Sequence, residues 1–182
     1  ENLLIEADMI IRSVGDADNT TIDGSVGNRS LGSTIVIRPQ SMTTHHPIVE
    51  IDGFSIINGK GTDVVNNTIT LPDGTHPPEK VGGGLFVYVN TPKVNNCKFL
   101  GNGDNSTDKG GAIFATPDSD GIDFIDRPDY QDHPNLLPAQ GNLDFSENTC
   151  LGNDALEGHS IYLFGDEYET VSITGNKLDV FS

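Results

Sequence analysis

Six aspartates lie close together in the second half of the chain and are the main candidates for chemistry. Within fifteen residues the sequence places Asp118, Asp120, Asp123, Asp126, Asp129 and Asp132. Closely spaced carboxylate oxygens suit Ca²⁺, which takes about six to eight oxygen ligands. The run 118–121 begins like a calcium-binding loop, but no glutamate follows at the later ligand position. We predict Asp118, Asp120, Asp123 and Asp126 as ligands for Ca²⁺, with a solvated acidic loop as the alternative.

The charge of the chain limits its partners. Its 182 residues include 10 basic and 27 acidic side chains, a formal net charge of −17. Such a charge repels phosphate backbones and anionic lipid, so we expect no binding to nucleic acid and no membrane insertion. No stretch has the length of an apolar membrane-spanning helix. Cations, neutral glycans and basic protein surfaces remain as partners.

Short apolar strands recur along the chain with a period of about 28 residues. The segment 51–56 aligns with 94–99, and each such segment is followed by a second strand. These second strands are Ile35-Val36-Ile37, Leu85-Phe86-Val87, Ile113-Phe114-Ala115 and Ile161-Tyr162-Leu163. Two strands per period, each too short to fold alone, are typical of a solenoid. We therefore predict one all-β solenoid domain over residues 1–182, with about four to six coils.

Two stretches interrupt the period, at residues 61–81 and 116–140. Both are rich in Pro, Asp and Gly, which is typical of surface loops. We predict that they leave the solenoid at turns and that the first packs lightly on its flank. A ligand-facing role for the first loop is the alternative.

The same alignment places polar and cysteine residues on successive coils. Asp23, Asp52 and Asn95 fall at matching positions, so we predict that they stack in a ladder along one edge. Cys97 aligns with Leu143 and not with Cys150. This offset favours buried free thiols over a disulfide, since a free cysteine behaves as a small apolar residue.

A paired motif, Phe-x-x-Asn followed by Gly-Gly-Ala-Ile, occurs in full at 99–102 and 110–113. A second pair, at 145–148 and 158–161, keeps the Phe, the Asn, the first Gly and the Ile. This pairing resembles the passenger repeats of chlamydial polymorphic outer-membrane proteins and, more widely, right-handed parallel β-helix repeat proteins. The resemblance covers roughly residues 48–178. It implies a right-handed parallel β-helix and a secreted or cell-surface, adhesin-like module with a glycan or host-surface ligand.

A second resemblance keeps a carbohydrate-active alternative open. Residues 116–123 resemble one motif of polygalacturonase-type glycosidases, which are β-helices that use several aspartates as acid and base. In that family two further motifs lie on different coils, whereas here 152–154 and 158–160 are only a few residues apart. The alternatives are thus a polysaccharide lyase, for which Arg127 is a candidate base, a glycoside hydrolase or a glycan-binding domain. Candidate stacking residues for a glycan are Tyr88, Tyr130, Tyr162 and Tyr168.

Four N-glycosylation sequons fall in predicted turns, at Asn19, Asn28, Asn66 and Asn105. Their number is only slightly above that expected from the composition. They are consistent with an extracellular or cell-surface location.

Strand-like sequence continues to Leu178, Val180 and Phe181, with no amphipathic capping helix at either end. Open solenoid ends expose backbone groups and apolar side chains, so they require a cap or a partner. We expect the chain to belong to a longer β-helix or to stack end to end in a filament, with its own or neighbouring coils as partners. The function we predict is a non-catalytic extracellular module, adhesin-like or structural.

Overall fold

The structure is a computed structural model that describes residues 2–25, 31–40, 46–117, 122–124, 141–165 and 168–179, with residues 123 and 124 described only as strand backbone. These residues form eighteen β-strands and contain no helix. Accordingly, this part of the chain has no helix long and apolar enough to cross a membrane. The predicted all-β class is confirmed.

Fifteen of the strands form three parallel sheets of five strands each. Sheet A consists of β1 (Leu3–Ile5), β4 (Ile35–Ile37), β9 (Leu85–Tyr88), β12 (Ile113–Thr116) and β16 (Ile161–Leu163). Sheet B consists of β2 (Met9–Arg12), β5 (Val49–Asp52), β10 (Lys93–Asn95), β14 (Asn142–Ser146) and β17 (Thr170–Thr174). Sheet C consists of β3 (Thr21–Asp23), β6 (Ser55–Ile57), β11 (Lys98–Leu100), β15 (Thr149–Leu151) and β18 (Lys177–Leu178).

The chain visits sheets A, B and C in the same order five times, and we name each visit a pass. Each pass pairs only with the passes before and after it, so the strands of every sheet follow chain order. The predicted equivalence of the sheet A strands is confirmed, because Leu85 pairs with both Ile35 and Ile113, and Ile113 pairs with Ile161. These stacked parallel sheets are compatible with a β-helix.

The prediction of two strands per period is wrong, because each pass has three. The segment 94–99 contains a corner, a bend of the backbone between β10 and β11 at which Asn96 adopts a φ of 52°. This corner separates one apparent strand into a strand of sheet B and a strand of sheet C. Phe99 therefore stacks on Cys150 in sheet C, whereas Phe145 stacks on Val94 in sheet B.

The core lies between the three sheets and is built from stacks of inward-facing side chains. Alternate strand residues point to opposite faces, and neighbouring strands lie about 4.8 Å apart, so equivalent residues of successive passes touch. The stacks that run through all five passes are Leu3-Ile35-Leu85-Ile113-Ile161, Ile5-Ile37-Val87-Ala115-Leu163, Ile11-Ile51-Val94-Phe145-Ile173 and Ile22-Ile56-Phe99-Cys150-Leu178. Their members in passes 2 to 4 are fully buried.

The remaining three strands form a small antiparallel sheet, sheet D, which consists of β7 (Thr62–Asn66), β8 (Pro78–Val81) and β13 (Ile122–Phe124). It covers the outer face of sheet A, where Val64 and Ile122 are fully buried with Phe86 and Phe114. The prediction that 61–81 packs lightly as a loop is therefore wrong. Because sheet A presents aromatic side chains outward as well as apolar ones inward, both of its faces need cover.

Candidate functional site

Most of the predicted calcium ligands lie outside the described residues. This holds for Asp118, Asp120 and Asp126, and Asp123 is placed only as the middle residue of β13. Elsewhere in the described ranges, no group of three or more His, Cys, Asp or Glu side chains could hold a metal ion. Calcium binding by the acidic segment stays a prediction.

The described sequons differ in accessibility. Asn19 and Asn105 are exposed in turns, whereas Asn66 is buried and its Nδ2 donates to Glu79 Oε1 at 2.8 Å. Asn28 lies outside the described residues. Glycosylation stays a prediction at all four sites, and Asn66 is the least accessible of the three described.

Two of the candidate glycan-stacking tyrosines have contrasting environments on the outer face of sheet A. Tyr88 is fully buried beneath sheet D, and Tyr130 lies outside the described residues. Tyr162 is half-buried and stacks on Phe114, with ring centroids 5.7 Å apart and an interplanar angle of 3°. Burial raises the pKa of the Tyr162 hydroxyl. The fourth candidate, Tyr168, is half-buried against the core.

A buried ion pair fixes sheet D beside Tyr162. Lys109 Nζ lies 2.8 Å from both carboxylate oxygens of Glu79 on β8 and 5.7 Å from the centroid of the Tyr162 ring. Asn66 of β7 binds the same carboxylate. These contacts anchor the insertion to the main sheets, so the charged groups here have a structural role.

The segments 152–154 and 158–160 meet on the single connection between β15 and β16. His159 Nδ1 lies 3.4 Å from Asp154 Oδ1, and it accepts a long hydrogen bond from the Ala155 N–H. Both side chains of the pair are about half-exposed. The two motifs that glycosidases carry on different coils thus occupy one turn here, as their spacing predicts.

The predicted ladder of Asp23, Asp52 and Asn95 is wrong in part. Asp52 pairs with Asn95 in sheet B, but Asp23 pairs with Ile57 in sheet C. The matching Ile-Asp-Gly triplets at 22–24 and 51–53 lie at the ends of strands of different sheets, β3 in sheet C and β5 in sheet B. In pass 3, the corner at Asn96 makes Asn148, and not Leu143, the equivalent of Cys97.

Two asparagine ladders that the sequence alignment missed join the passes at the corners. At the corner from sheet C to sheet A, Asn102 Nδ2 donates to Ile56 O at 2.8 Å and Asn153 Nδ2 donates to Phe99 O at 3.0 Å. The Oδ1 atom of Asn153 in turn accepts the Asn102 N–H. The repeated Gly-Asn at 101–102 and 152–153 is the sequence signal of this ladder.

The second ladder lies at the corner from sheet B to sheet C. Asn148 Nδ2 donates to Val94 O, and Asn176 Nδ2 donates to Phe145 O. The spacing of 28 residues between the two asparagines marks it in the sequence. Buried amide groups that bond to the neighbouring pass satisfy corner backbone atoms that strand pairing leaves free.

Several aspartates act as turn residues. Asp23, Asp73 and Asp104 each accept the N–H of the residue two positions later. These backbone and hydroxyl hydrogen bonds lower the pKa of all three carboxyl groups. A lowered pKa makes a carboxylate a permanent anion near neutral pH and a poor general acid.

Cys97 and Cys150 are buried free thiols, as predicted. Burial raises the pKa of Cys97 to about 11 and that of Cys150 to about 12. A protonated, enclosed thiol is a weak nucleophile and a weak metal ligand. The two cysteines therefore serve the core.

The edge of pass 5 leaves inward-facing apolar side chains partly uncovered. Val171, Ile173 and Leu178 are 38%, 40% and 43% exposed, although they face inward. Their equivalents in pass 4, which are Leu143, Phe145 and Cys150, are fully buried. Among the described residues β16, β17 and β18 are also the outermost strands of their sheets. We name this surface the pass 5 edge.

The opposite edge, formed by β1, β2 and β3, is the pass 1 edge. Several of its inward-facing residues are partly uncovered, since Met9 is 39% exposed and Leu3, Ile11 and Ile22 are half-buried, whereas Ile5 is fully buried. Strand edges of this kind present unpaired backbone donors and acceptors. Among the described strands, β1, β2 and β3 are the outermost strands of their sheets on this side.

Comparisons of the chain with models of protein families, with curated proteins and with solved structures find no match. The resemblance to chlamydial passenger repeats stays a prediction, and the function must be argued from the geometry above.

Proposed function

We propose that this chain is a non-catalytic module of the right-handed parallel β-helix class, secreted or at a cell surface, with an adhesin-like or structural role. The constant order of sheets A, B and C over five passes supports the β-helix. The ladders of Asn102 with Asn153 and of Asn148 with Asn176 support it further, because they bind successive passes to each other. Many of the buried polar side chains thus hold successive passes together.

The observation that carries the proposal is the exposed core at the pass 5 edge. Side chains equivalent to fully buried residues are there about 40% exposed. Burying apolar surface contributes about 25 cal/mol per Å², so this edge gains free energy when further β-helical passes cover it. Such a surface supports a module whose edges stack on its own passes or on neighbouring ones.

Adding one pass tests this proposal. The register predicts that a copy of residues 101–112 followed by a copy of 85–100, placed after residue 179, continues all three sheets. Covering the edge should raise the melting temperature by at least about 3 °C, because solenoid stability grows with each interface between repeats.

The matched control carries serine at the inward positions of the added pass, which are those of Leu85, Val87, Val94 and Phe99. This variant should give no increase. Equal melting temperatures for the two fusions and the parent chain would contradict the stacking role.

Calcium binding by the segment 116–140 is a separate proposal. Calorimetry on chelator-treated protein should show micromolar binding that Asp120→Asn and Asp123→Asn abolish, with Asp23→Asn on β3 of sheet C as the control. The absence of heat at millimolar calcium would leave this segment a solvated acidic insertion.

The half-buried Tyr162 favours a glycan-binding surface as the second candidate function. A ring fixed by stacking on Phe114 offers a flat face beside a partly enclosed cation, Lys109. Glycan screening should then detect a ligand whose binding Tyr162→Ala weakens by at least about tenfold and Ile69→Ala leaves intact. A ligand bound equally by both variants, or cleaved by the wild type, would point away from this surface or towards the enzymatic alternative.

A further inference from the structure

The pass 1 edge and the pass 5 edge present the same pattern of strands. Each edge has one outermost strand in each of sheets A, B and C. All six strands run parallel to the neighbouring strand of their sheet. Each edge also leaves inward-facing apolar side chains partly uncovered, such as Met9 in β2 and Ile173 in β17. The two edges therefore expose complementary halves of one stacking interface.

The register fixes which residues would meet if pass 1 of one copy followed pass 5 of another. At the partly exposed positions, continuing the stacks places Ile161 on Leu3, Val171 on Met9, Ile173 on Ile11 and Leu178 on Ile22. Every inward pair is apolar on apolar. The strands are also of similar length, with three to four residues at one edge and two to five at the other.

We propose that the partner covering the pass 5 edge is a second copy of this chain, bound head to tail through its pass 1 edge. This inference rests on the proposed stacking function and names its partner. The interface is heterologous, since it joins two different edges, so repeated addition produces a filament. Parallel strand pairing continues across it in sheets A, B and C.

Electrostatics set the condition under which the contact forms. Each copy has a formal net charge of −17, and the register brings Asp179 of one copy beside Asp23 of the next. The repulsion between the two net charges and that between the two aspartates both oppose association at low ionic strength. Because about 0.5 M salt shortens the screening length to a few ångströms, association should increase as salt is added.

Directed disulfide formation between two single-cysteine variants tests the register. Ile10 and Ser172 both face outward and occupy the same row of sheet B through Glu50, Lys93 and Asp144. In the head-to-tail contact their Cα atoms lie about 4.8 Å apart, within the range that a disulfide spans. A mixture of Ile10→Cys and Ser172→Cys chains, oxidised in about 0.5 M salt, should give a covalent dimer.

The controls use the same strands. Thr170→Cys moves the thiol two residues along β17, about 7 Å from the matching position, so its mixture with Ile10→Cys should cross-link at least about tenfold less. Neither variant should cross-link with itself. The native Cys97 and Cys150 do not interfere, because both are buried. Adding Ile173→Asp should abolish the dimer, whereas Ile69→Asp, on the exposed hairpin turn, should not.

Each other outcome overturns the inference. Dimers of Ser172→Cys alone would mean that two pass 5 edges meet, and equal cross-linking by Thr170→Cys would mean a non-specific contact. Absence of any dimer would exclude the second copy as partner. If the added pass still raises the melting temperature in that case, the stacking function stands and only its partner is wrong.

Discussion

Asn148 joins three passes. Its Nδ2 donates to Val94 O and its Oδ1 accepts the Cys97 N–H at 2.9 Å, both in pass 3, while its own N–H donates to Asn176 Oδ1 in pass 5. All of the pass 3 groups are buried. The residue therefore matters more than its place in a turn would suggest.

Replacing Asn148 with alanine should lower the free energy of unfolding by about 2–4 kcal/mol, because two buried backbone groups lose their partners. The exposed Asn105 is the control, and Asn105→Ala should change the free energy by less than about 0.5 kcal/mol. Urea titration measures both values. Equal losses for the two variants would refute the ladder.

The two buried thiols make the free energy of unfolding depend on pH in the alkaline range. The pKa of Cys97 is raised to about 11 and that of Cys150 to about 12, from an ordinary value of 9.0, and burial is the main cause. Above pH 9 the unfolded chain loses these protons while the folded chain keeps them. The stabilisation is thus complete below pH 9 and is lost as the pH rises through 11.

Each thiol should contribute a slope of up to about 1.4 kcal/mol per pH unit in that window. Urea titrations from pH 8 to pH 11 on the wild type and on the Cys97→Ala/Cys150→Ala variant isolate this contribution, since lysines and tyrosines titrate in both. Parallel curves for the two proteins would show that the thiols are not enclosed.

At the scale of elements, sheet D decides how sheet A is covered. Val64 lies fully buried in the same cluster as Phe86 and Phe114, whereas Val65, the next residue of β7, points to the other face and is half-buried. Val64→Asp should therefore destabilise the fold by about 3 kcal/mol or more through an unpaired buried charge. Val65→Asp, the matched control, should have less than half that effect in the same denaturation assay. Similar losses would mean that sheet D does not pack on sheet A.

The strands of sheet A could be predicted from the sequence because each is a run of three apolar residues at regular spacing. The corner between sheets B and C could not, since one structural position is occupied by Gly53, Asn96, Glu147 and Gly175, all with positive φ. Only two of these are glycines, so no turn motif repeats. Sheet D was hidden for another reason: Ile122 pairs with Asn66 across 56 residues and leaves no local pattern.

Of the candidate site, the strand-like character of the segment near Leu178 could be predicted from the sequence, and stacking partners at the edges stay a prediction. The exposed residues of the pass 5 edge could not, because which side chains face inward and stay uncovered there depends on the strand pairing in all three sheets. A single-residue slip turns every side chain to the other face of its sheet. The correct register therefore came from backbone pairing in three dimensions.

At the scale of the whole molecule, stability should decrease from the middle passes to the edges. Passes 3 and 4 have neighbours on both sides, whereas β16, β17 and β18 have a neighbour on one side among the described strands. Strands with one neighbour open more readily, and their amides exchange faster. In a stack of passes, local stability thus decreases from the middle to the edges. In a uniformly packed β-sandwich it would not.

Amide hydrogen exchange, followed by mass spectrometry on dilute monomer, tests this account most directly. We expect the slowest exchange in β9 to β11 and in β12, β14 and β15, and exchange at least about tenfold faster in β16 to β18. In the fusion with an added pass, protection of β17 and β18 should increase to that of pass 4. Pass 5 amides as slow as those of pass 3 in the dilute parent chain would contradict an open, stacking edge.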